Sequence, residues 1–294
     1  MISSPAKLRR EHYSLAIDQE QTAFVPFEDI AVIVLNHREI TLTHPVLSAC
    51  AEYGIGLYAT GDNHQPSGVF LPFLPHSRTT RMMRLQLNVA RPLAKQVWAS
   101  VIRRKIENQA ACLRLAGRKG MDRLDSYARR VRSGDADNLE GQAAAFYFVQ
   151  LFGQGFHRGL ERWTNAALDY GYAVLRGAIA RSLVAHGLHP TVGLFHDSEQ
   201  NAFNLADDLI EPFRPLVDLH VAKHHAATDG DLSPADKAAL VALLNIDMGM
   251  PQGRMSAQSA IEYAVESLVR VFEEGANALE VPLLIGLRPH ALEY

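Results

Sequence analysis

The side chains with the types and spacing to hold a cation are few. Asp208 and Glu211 stand three residues apart inside LADDLIEPFRPLVD, Leu205–Asp218. Three residues is close to one helical turn, so on a helix both carboxylates share a face. Hard divalent cations favour carboxylate oxygens, which makes that face a candidate metal site. The competing reading is a solvated face on which Arg214 pairs with Glu211. His196, followed by Asp197, ends the apolar run Gly193-Leu194-Phe195 after a turn at Pro190. A histidine there is either a ligand or a satisfied buried side chain. Glu140 opens a helix after a polar loop, where the helix dipole favours an acid even without a function. His220 and His224 have the spacing of a zinc pair, but Val221, Ala222 and Lys223 between them lack the glutamate of an HExxH motif. Gly153-Gln154-Gly155 with Gly159 follows a helix rather than a strand and lacks the dinucleotide-binding spacing. Neither a GxSxG elbow nor a P-loop occurs. Cys50 and Cys112 are the only cysteines. They exclude a disulfide framework and leave no basis for a cysteine zinc site, a usage that fits a reducing cytoplasm.

Two kinds of element must position these groups. Up to about residue 75 the pattern is strand-rich. His12–Ile17 alternates polar and apolar, and Ile30–Leu35 is a β-branched apolar run of a buried strand. Thr43 caps a helix to about Tyr53, with Pro45 in its first turn and Gly54-Ile55-Gly56 ending it. Leu57–Thr60 and Val69–Phe73 read as strands around the turn residues Gly61-Asp62-Asn63 and Pro66-Ser67-Gly68. After Pro75 the apolar period lengthens to about 3.6. Met82, Leu85, Val89, Leu93, Val97, Val101 and Ile106 mark helix, broken or kinked at Pro92. Arg132–Asn138 is a polar loop. Helices are expected near Glu140–Phe152, Asn165–Ala185, Phe203–His225, Pro234–Leu244 and Ser256–Ala278. The expected fold is α+β: a small β-rich N-terminal domain, residues 1–75, then a larger all-α domain, residues 76–294, with the boundary near Leu74–Ser77.

Charge is distributed unevenly. The 294 residues carry a net charge of −3, yet His76–Arg132 holds 15 Lys+Arg against 3 Asp+Glu. The remainder holds 14 basic and 29 acidic residues. A basic segment inside an acidic chain fits one face that meets a polyanion, against the blander reading of a long solvated helix. Hydrophobic residues make up 48%, enough for a real core. No secretory signal and no membrane-spanning run of about 18 apolar residues is visible.

Taken in order, DNLEGQAA around Glu140 and GLHPTVGLFHDSEQNAFNLADDLIEPFRPLVD around His196 and Glu211 resemble the CRISPR-associated integrase-endonuclease family that inserts new spacers. FVPFEDIAVIVL, ITLTHPVLSACAEYGIGLY, KIENQAACL and NAALDYGYAVLR extend the resemblance over nearly the whole chain. The N-terminal motifs look closest to type II systems. The resemblance implies that Glu140, His196 and Glu211 ligate Mg²⁺ or Mn²⁺. It also implies that Asp208 is a second acid of that site and that Asn165 and Tyr170 lie near it.

The implied reaction is attack by the 3′-hydroxyl of a DNA duplex on a phosphodiester at the edge of a CRISPR repeat. A bound divalent ion would stabilise charge on the phosphate. His196 would tilt the site toward Mn²⁺, and Asp208 would orient His196 or hold a water. Arg78, Arg81, Arg84, Arg103, Arg104 and Lys105 are the expected phosphate contacts. The resemblance further implies a homodimer, with two dimers bridged by a small ferredoxin-like CRISPR protein into a heterohexamer. The alternatives are a metal-dependent nuclease that joins nothing and a non-catalytic nucleic-acid-binding scaffold.

Overall fold

In the computed structural model, residues 1–61, 66–72, 78–159, 163–224, 231–275 and 279–291 are described. The chain opens as an antiparallel meander of β1 (Ala6–Glu11), β2 (Ser14–Asp18) and β3 (Thr22–Pro26), and β5 (Ile40–Leu42) adds parallel to β1. The alternation expected over His12–Ile17 is interrupted by a turn at His12, whose φ is +53°, so β2 begins only at Ser14. A second sheet has β4 (Val32–Leu35) parallel to β6 (Gly56–Thr60) and β7 (Pro66–Phe70) antiparallel to β6. Helix α1 (His44–Glu52) lies in the connection from β4 to β6, with Pro45 in its first turn as expected. Pro66–Gly68, expected as a turn, belongs to β7. Leu8, Leu15, Phe27, Val46, Cys50 and Ile55 form a buried cluster that holds this region together. Residues 62, 63 and the Leu74–Ser77 boundary lie outside the described residues.

From Met82 onward a second, larger apolar cluster begins. Its helices are α2 (Thr79–Leu87), α3 (Arg91–Leu115), α4 (Met121–Arg130), α5 (Leu139–Phe152) and α6 (Trp163–Ala185). They continue with α7 (Asn204–Ile210), α8 (Arg214–His224), α9 (Pro234–Ala242) and α10 (Ala257–Glu274). Pro92 breaks the basic stretch as expected, in the first turn of α3, where its missing N–H costs nothing. At 25 residues α3 is about 37 Å long. It packs against α4, α5, α8 and the last strand. Helix α6 runs through the core and touches α7, α8, α9, α10 and β6. There Tyr58 of β6 donates to the Gly177 carbonyl. A Cβ at Gly177 would stand 2.6 Å from the Tyr58 ring, so this approach requires glycine.

Two expectations change. The single helix expected over Phe203–His225 is two helices, α7 and α8, separated by a turn at residues 211–213. Pro212 has no N–H to continue the ladder and its ring crowds the carbonyl four residues back. The C-terminal region is helical but not all-α. Strands β8 (Ile246–Met250), β9 (Gly253–Ser256) and β10 (Leu283–Pro289) form a sheet of order β10-β8-β9. Helix α10 is capped by Ser256, whose side chain accepts from Ser259 N–H, and ends at Gly275 with φ +67°. Residue 225 and residues 276–278, expected at helix ends, lie outside the described residues.

Candidate active site

Four segments carry the candidate groups, and each is fixed by local chemistry. Glu140 lies in the first turn of α5. The turn before it places Asp135 so that its carboxylate accepts from Leu139 N–H and Glu140 N–H, both at 2.9 Å, and Asn138 accepts from Gly141 N–H at 3.2 Å. These bonds satisfy backbone donors that every helix start leaves open, and so fix where Glu140 begins.

Glu211 lies in the turn made by Pro212, only 4% exposed. The buried Asn108 of α3 ties that turn down, donating to the Pro212 carbonyl at 2.7 Å and to Pro282 at 2.9 Å. It also accepts from Leu284 N–H at 2.9 Å. This asparagine, inside KIENQAACL, escapes a chemical reading of the sequence because an amide in a helical stretch carries no metal or acid–base signal.

His196 is placed by Asp208, which is fully buried at the end of α7. The Asp208 carboxylate accepts from the N–H groups of Leu194 at 2.6 Å, Phe195 at 3.1 Å and His196 at 3.1 Å. It also meets His196 Nδ1 at 2.7 Å. Gly193 is obligatory here, since a Cβ would fall 2.1 Å from the His196 carbonyl. Upstream, Gln86 of α2 holds the same loop. Its amide donates to the carbonyls of His189 at 2.9 Å and Val192 at 2.7 Å, and accepts from His189 N–H at 2.9 Å. Asp208 thus sits where it can orient His196. Asp208 and Glu211 keep their helical spacing, since Glu211 caps α7 in helical conformation, but Asp208 bonds to the 193–196 loop while Glu211 meets Lys105 and Arg214.

The fourth segment is α3, which delivers Lys105. Its ammonium lies 2.6 Å from Glu140 Oε1 and 2.5 Å from Glu211 Oε2. Those two oxygens are therefore no farther apart than the sum of these distances, 5.1 Å. Lys105 is 8% exposed, so the expectation that it meets DNA phosphate from the surface is corrected. On the inward face of α3, two carboxylates already engage it. Burial works against its charge, but Glu211 and Glu140 outweigh burial and hold its pKa above the ordinary value. Glu211 also pairs with Arg214 Nε at 2.8 Å, the ion pair that the competing reading of this face expects. Burial opposes its ionisation, yet Arg214 and Lys105 prevail and hold its pKa down at about 2. Arg214 in turn lies over the Tyr172 ring at 4.5 Å. The hydrogen bond to Asp208 raises the His196 pKa against partial burial, and the nearby Glu211 charge adds to the rise.

Among the described residues, no group of three or more His, Cys, Asp or Glu side chains is gathered tightly enough to hold a metal as it stands. At this site the Lys105 ammonium stands between the two carboxylates. The donor set nonetheless fits a hard divalent cation. Glu211 Oε2 is buried and accepts no hydrogen bond of good geometry. Glu140 and Glu211 offer anionic oxygens, and the His196 imidazole lies in range of the Glu211 charge.

The other expected residues make contacts of their own. Asn165 donates to the His157 carbonyl at 2.9 Å and accepts from Arg158 at 3.3 Å. The Tyr170 hydroxyl meets Met1 Sδ at 3.0 Å. Arg104 pairs with Glu107 at 3.3 Å, and Arg103 donates to the Val131 carbonyl at 3.2 Å. Arg78, Arg81 and Arg84 are exposed; Arg81 pairs with Glu273 at 3.0 Å. Arg81 and Arg84 line an open cleft of about 480 Å³ with Asn88, Leu93 and Phe272. The rings of His220 and His224 lie 4.4 Å apart, with burial lowering the His220 pKa to about 4.

The family profile for CRISPR associated protein Cas1 matches residues 1–236. The chain belongs to the Cas1 family. The CRISPR-associated endonuclease Cas1 of Neisseria meningitidis serogroup C is 41% identical, over all of this chain and 98% of that protein. Among solved structures, a casposase bound to integration product superposes with a TM-score of 0.78 at 18% identity, covering 94% of this chain and 90% of that one. A chain of a Cas6-RT-Cas1–Cas2 complex superposes with a TM-score of 0.71 at 15% identity, covering 95% of this chain and 35% of that one. The fold expected from the residues, strand-rich then helical, is thus the Cas1 fold. No helix among the described residues is long and apolar enough to cross a membrane.

Proposed function

We propose that this Cas1 protein is a divalent-metal-dependent DNA endonuclease and integrase that joins the 3′-hydroxyl ends of short duplexes into a CRISPR repeat. The observation that carries the reading is the meeting of Glu140 and Glu211 within 5.1 Å, with the His196 imidazole in range of the Glu211 charge. Family membership and the 41% identity to a named endonuclease support it.

Glu140, Glu211 and His196 would hold Mg²⁺ or Mn²⁺, which when bound supplies Lewis-acid stabilisation of charge on the scissile phosphate. The chain's own residues do the rest. Asp208 holds the imidazole in one orientation by binding Nδ1, which leaves Nε2 as the nitrogen that would ligate a cation. Arg214 keeps Glu211 ionised and fixed. Lys105, once released from the carboxylates, is a cation within reach of the phosphate oxygens. The exposed arginines of α2 and the segment before it supply phosphate contacts, which position DNA without reading its sequence.

The protein would act as a homodimer. A small ferredoxin-like partner would bridge two dimers into a heterohexamer; that a similarly folded chain is solved in a complex with Cas2 supports a partner of this kind. The deciding experiment offers the protein a 3′-hydroxyl duplex and a supercoiled plasmid carrying a repeat, with and without chelator. Joined products that vanish with chelator, and with Glu140→Ala, His196→Ala or Glu211→Ala, are expected. Nicks without joining would leave only a nuclease. Full joining by all three variants would remove them from the site.

A further inference from the structure

Most large apolar side chains among the described residues are buried or half-buried, but Phe195 is 50% exposed, immediately before His196. Exposure alone means little, since single surface hydrophobics are common. The setting of this one is unusual. Its ring lies on Trp98 of α3 with centroids 4.2 Å apart and planes within 5°. Trp98 is itself 1% exposed, so it forms a packed floor under the ring. The Phe195 backbone is pinned by the bond from its N–H to Asp208. The His196 imidazole stands edge-on 5.7 Å away. One face of the phenyl ring is therefore covered by indole, one side meets the imidazole, and the remaining exposed area is the outer face. A tryptophan, an aspartate carboxylate and a glycine turn together hold an aromatic face open to solvent beside the reacting groups.

We propose that Phe195 is a stacking platform for the nucleobase next to the phosphodiester that enters the site, and so positions the substrate strand. The inference rests on the DNA-joining reading above. Every base has a π-face, so a phenyl platform holds the strand without choosing its sequence. It also gives the acidic chain an uncharged grip on DNA at the place where further cations would compete with a metal. Stacking continues through Phe195 to Trp98, an arrangement that costs the substrate no reorganisation of the protein.

The test separates stacking from packing and from catalysis. Wild type, Phe195→Leu and Phe195→Tyr are compared on duplexes with 2-aminopurine, or an abasic site, at each nucleotide within two of the joining position. In chelator, 2-aminopurine at one such position should be quenched by wild type and Phe195→Tyr but not by Phe195→Leu. In the joining reaction Phe195→Leu should lower kcat/KM about tenfold to a hundredfold, the range for one base–aromatic stack. At the position where 2-aminopurine was quenched, the abasic substrate should cost wild type a similar factor. It should cost Phe195→Leu nothing more, because the same stack is already absent. Equal quenching by Phe195→Leu and wild type, no quenching at any position, or abasic and Leu losses that multiply would each overturn the proposal. If wild type joins no DNA at all, it is the integrase reading that fails, and a fluorescence difference between wild type and Phe195→Leu would still register stacking. Loss of the folded circular-dichroism spectrum in Phe195→Leu, with no rescue by Phe195→Tyr, would show the ring to be packing only.

Discussion

Replacing Lys105 by methionine should weaken the protein without metal and tighten its hold on metal. The ammonium touches Glu140 and Glu211 at 2.6 and 2.5 Å, in a position that is 8% exposed. Methionine keeps much of the volume but leaves two carboxylates facing each other across no more than 5.1 Å. Two unit charges at that distance repel by about 3 kcal/mol at an effective dielectric of 20. Breaking a buried ion pair by removing one partner costs about 3–5 kcal/mol, which agrees. Uptake of a proton by one carboxyl caps the loss. At about 2 °C per kcal/mol for a chain of this size, the metal-free melting temperature should fall by about 6–10 °C. A divalent ion that enters the variant has no ammonium to displace, and relieves the same repulsion. Each 1.4 kcal/mol is tenfold in affinity, so Mn²⁺ should bind about a hundredfold tighter, and added Mn²⁺ should restore the missing stability. Calorimetric titration of wild type and Lys105→Met with Mn²⁺, paired with melting curves with and without the ion, measures both effects. Unchanged or weaker Mn²⁺ binding together with an unchanged melting temperature would refute the idea that lysine and metal compete for one place.

Asp208→Asn cannot serve all the donors that now meet the carboxylate. It should lose about 3 kcal/mol of stability and most joining activity, and a variant with wild-type melting and rate would show that the loop holds His196 unaided. Asp218 is buried, with Tyr147 and Tyr172 donating to it, and burial pushes its pKa up to about 6. The folded state therefore holds this proton more tightly than the unfolded chain, so the group's contribution is complete below about pH 4 and fades as pH rises through about 6. Asp218→Asn should flatten melting temperature against pH between 4 and 7, and an unaltered curve would reassign the dependence. Charge reversal of Arg81 and Arg84 should weaken DNA binding and reduce the slope of log affinity against log salt by about 0.9 for each phosphate that is no longer neutralised. A slope equal to wild type would move the DNA surface away from the cleft beside α2.

The fold is legible in the sequence where one local rule dominates. Pro45 and Pro92 mark first turns, and the β-branched run Ile30–Leu35 yields β4. It is not legible where a tertiary contact decides. Ile246–Met250 and Gly253–Ser256 hold methionine and glycine rather than β-branched runs, and they become strands by pairing with each other and with β10. Pro212 is in plain view, but the carboxylates at 208 and 211 invite a continuous helix. The break matters chemically: it falls just after Asp208, which bonds to the 193–196 loop, and puts Glu211 at the end of α7, where it meets Lys105.

The same contrast runs through the site. Glu140, His196 and Glu211 can be named because acids and imidazoles announce their chemistry, and order along the chain ties them to a family. Lys105 passes for a surface cation, since net charge by segment cannot say which basic residue points inward. Fifteen basic residues in one segment look alike in sequence. The helical phase distinguishes them: Lys105 falls on the same stripe of α3 as Trp98, Ile102 and Asn108, all buried, while Arg103 faces out and Arg104 lies between. A lysine on an apolar stripe must find an anion or lose its charge, because an unpaired buried ammonium is too costly to keep. Once its side of the helix is recognised, the presence of carboxylates opposite follows from electrostatics. Glu140 and Glu211 then gain a second reason to converge that needs no metal.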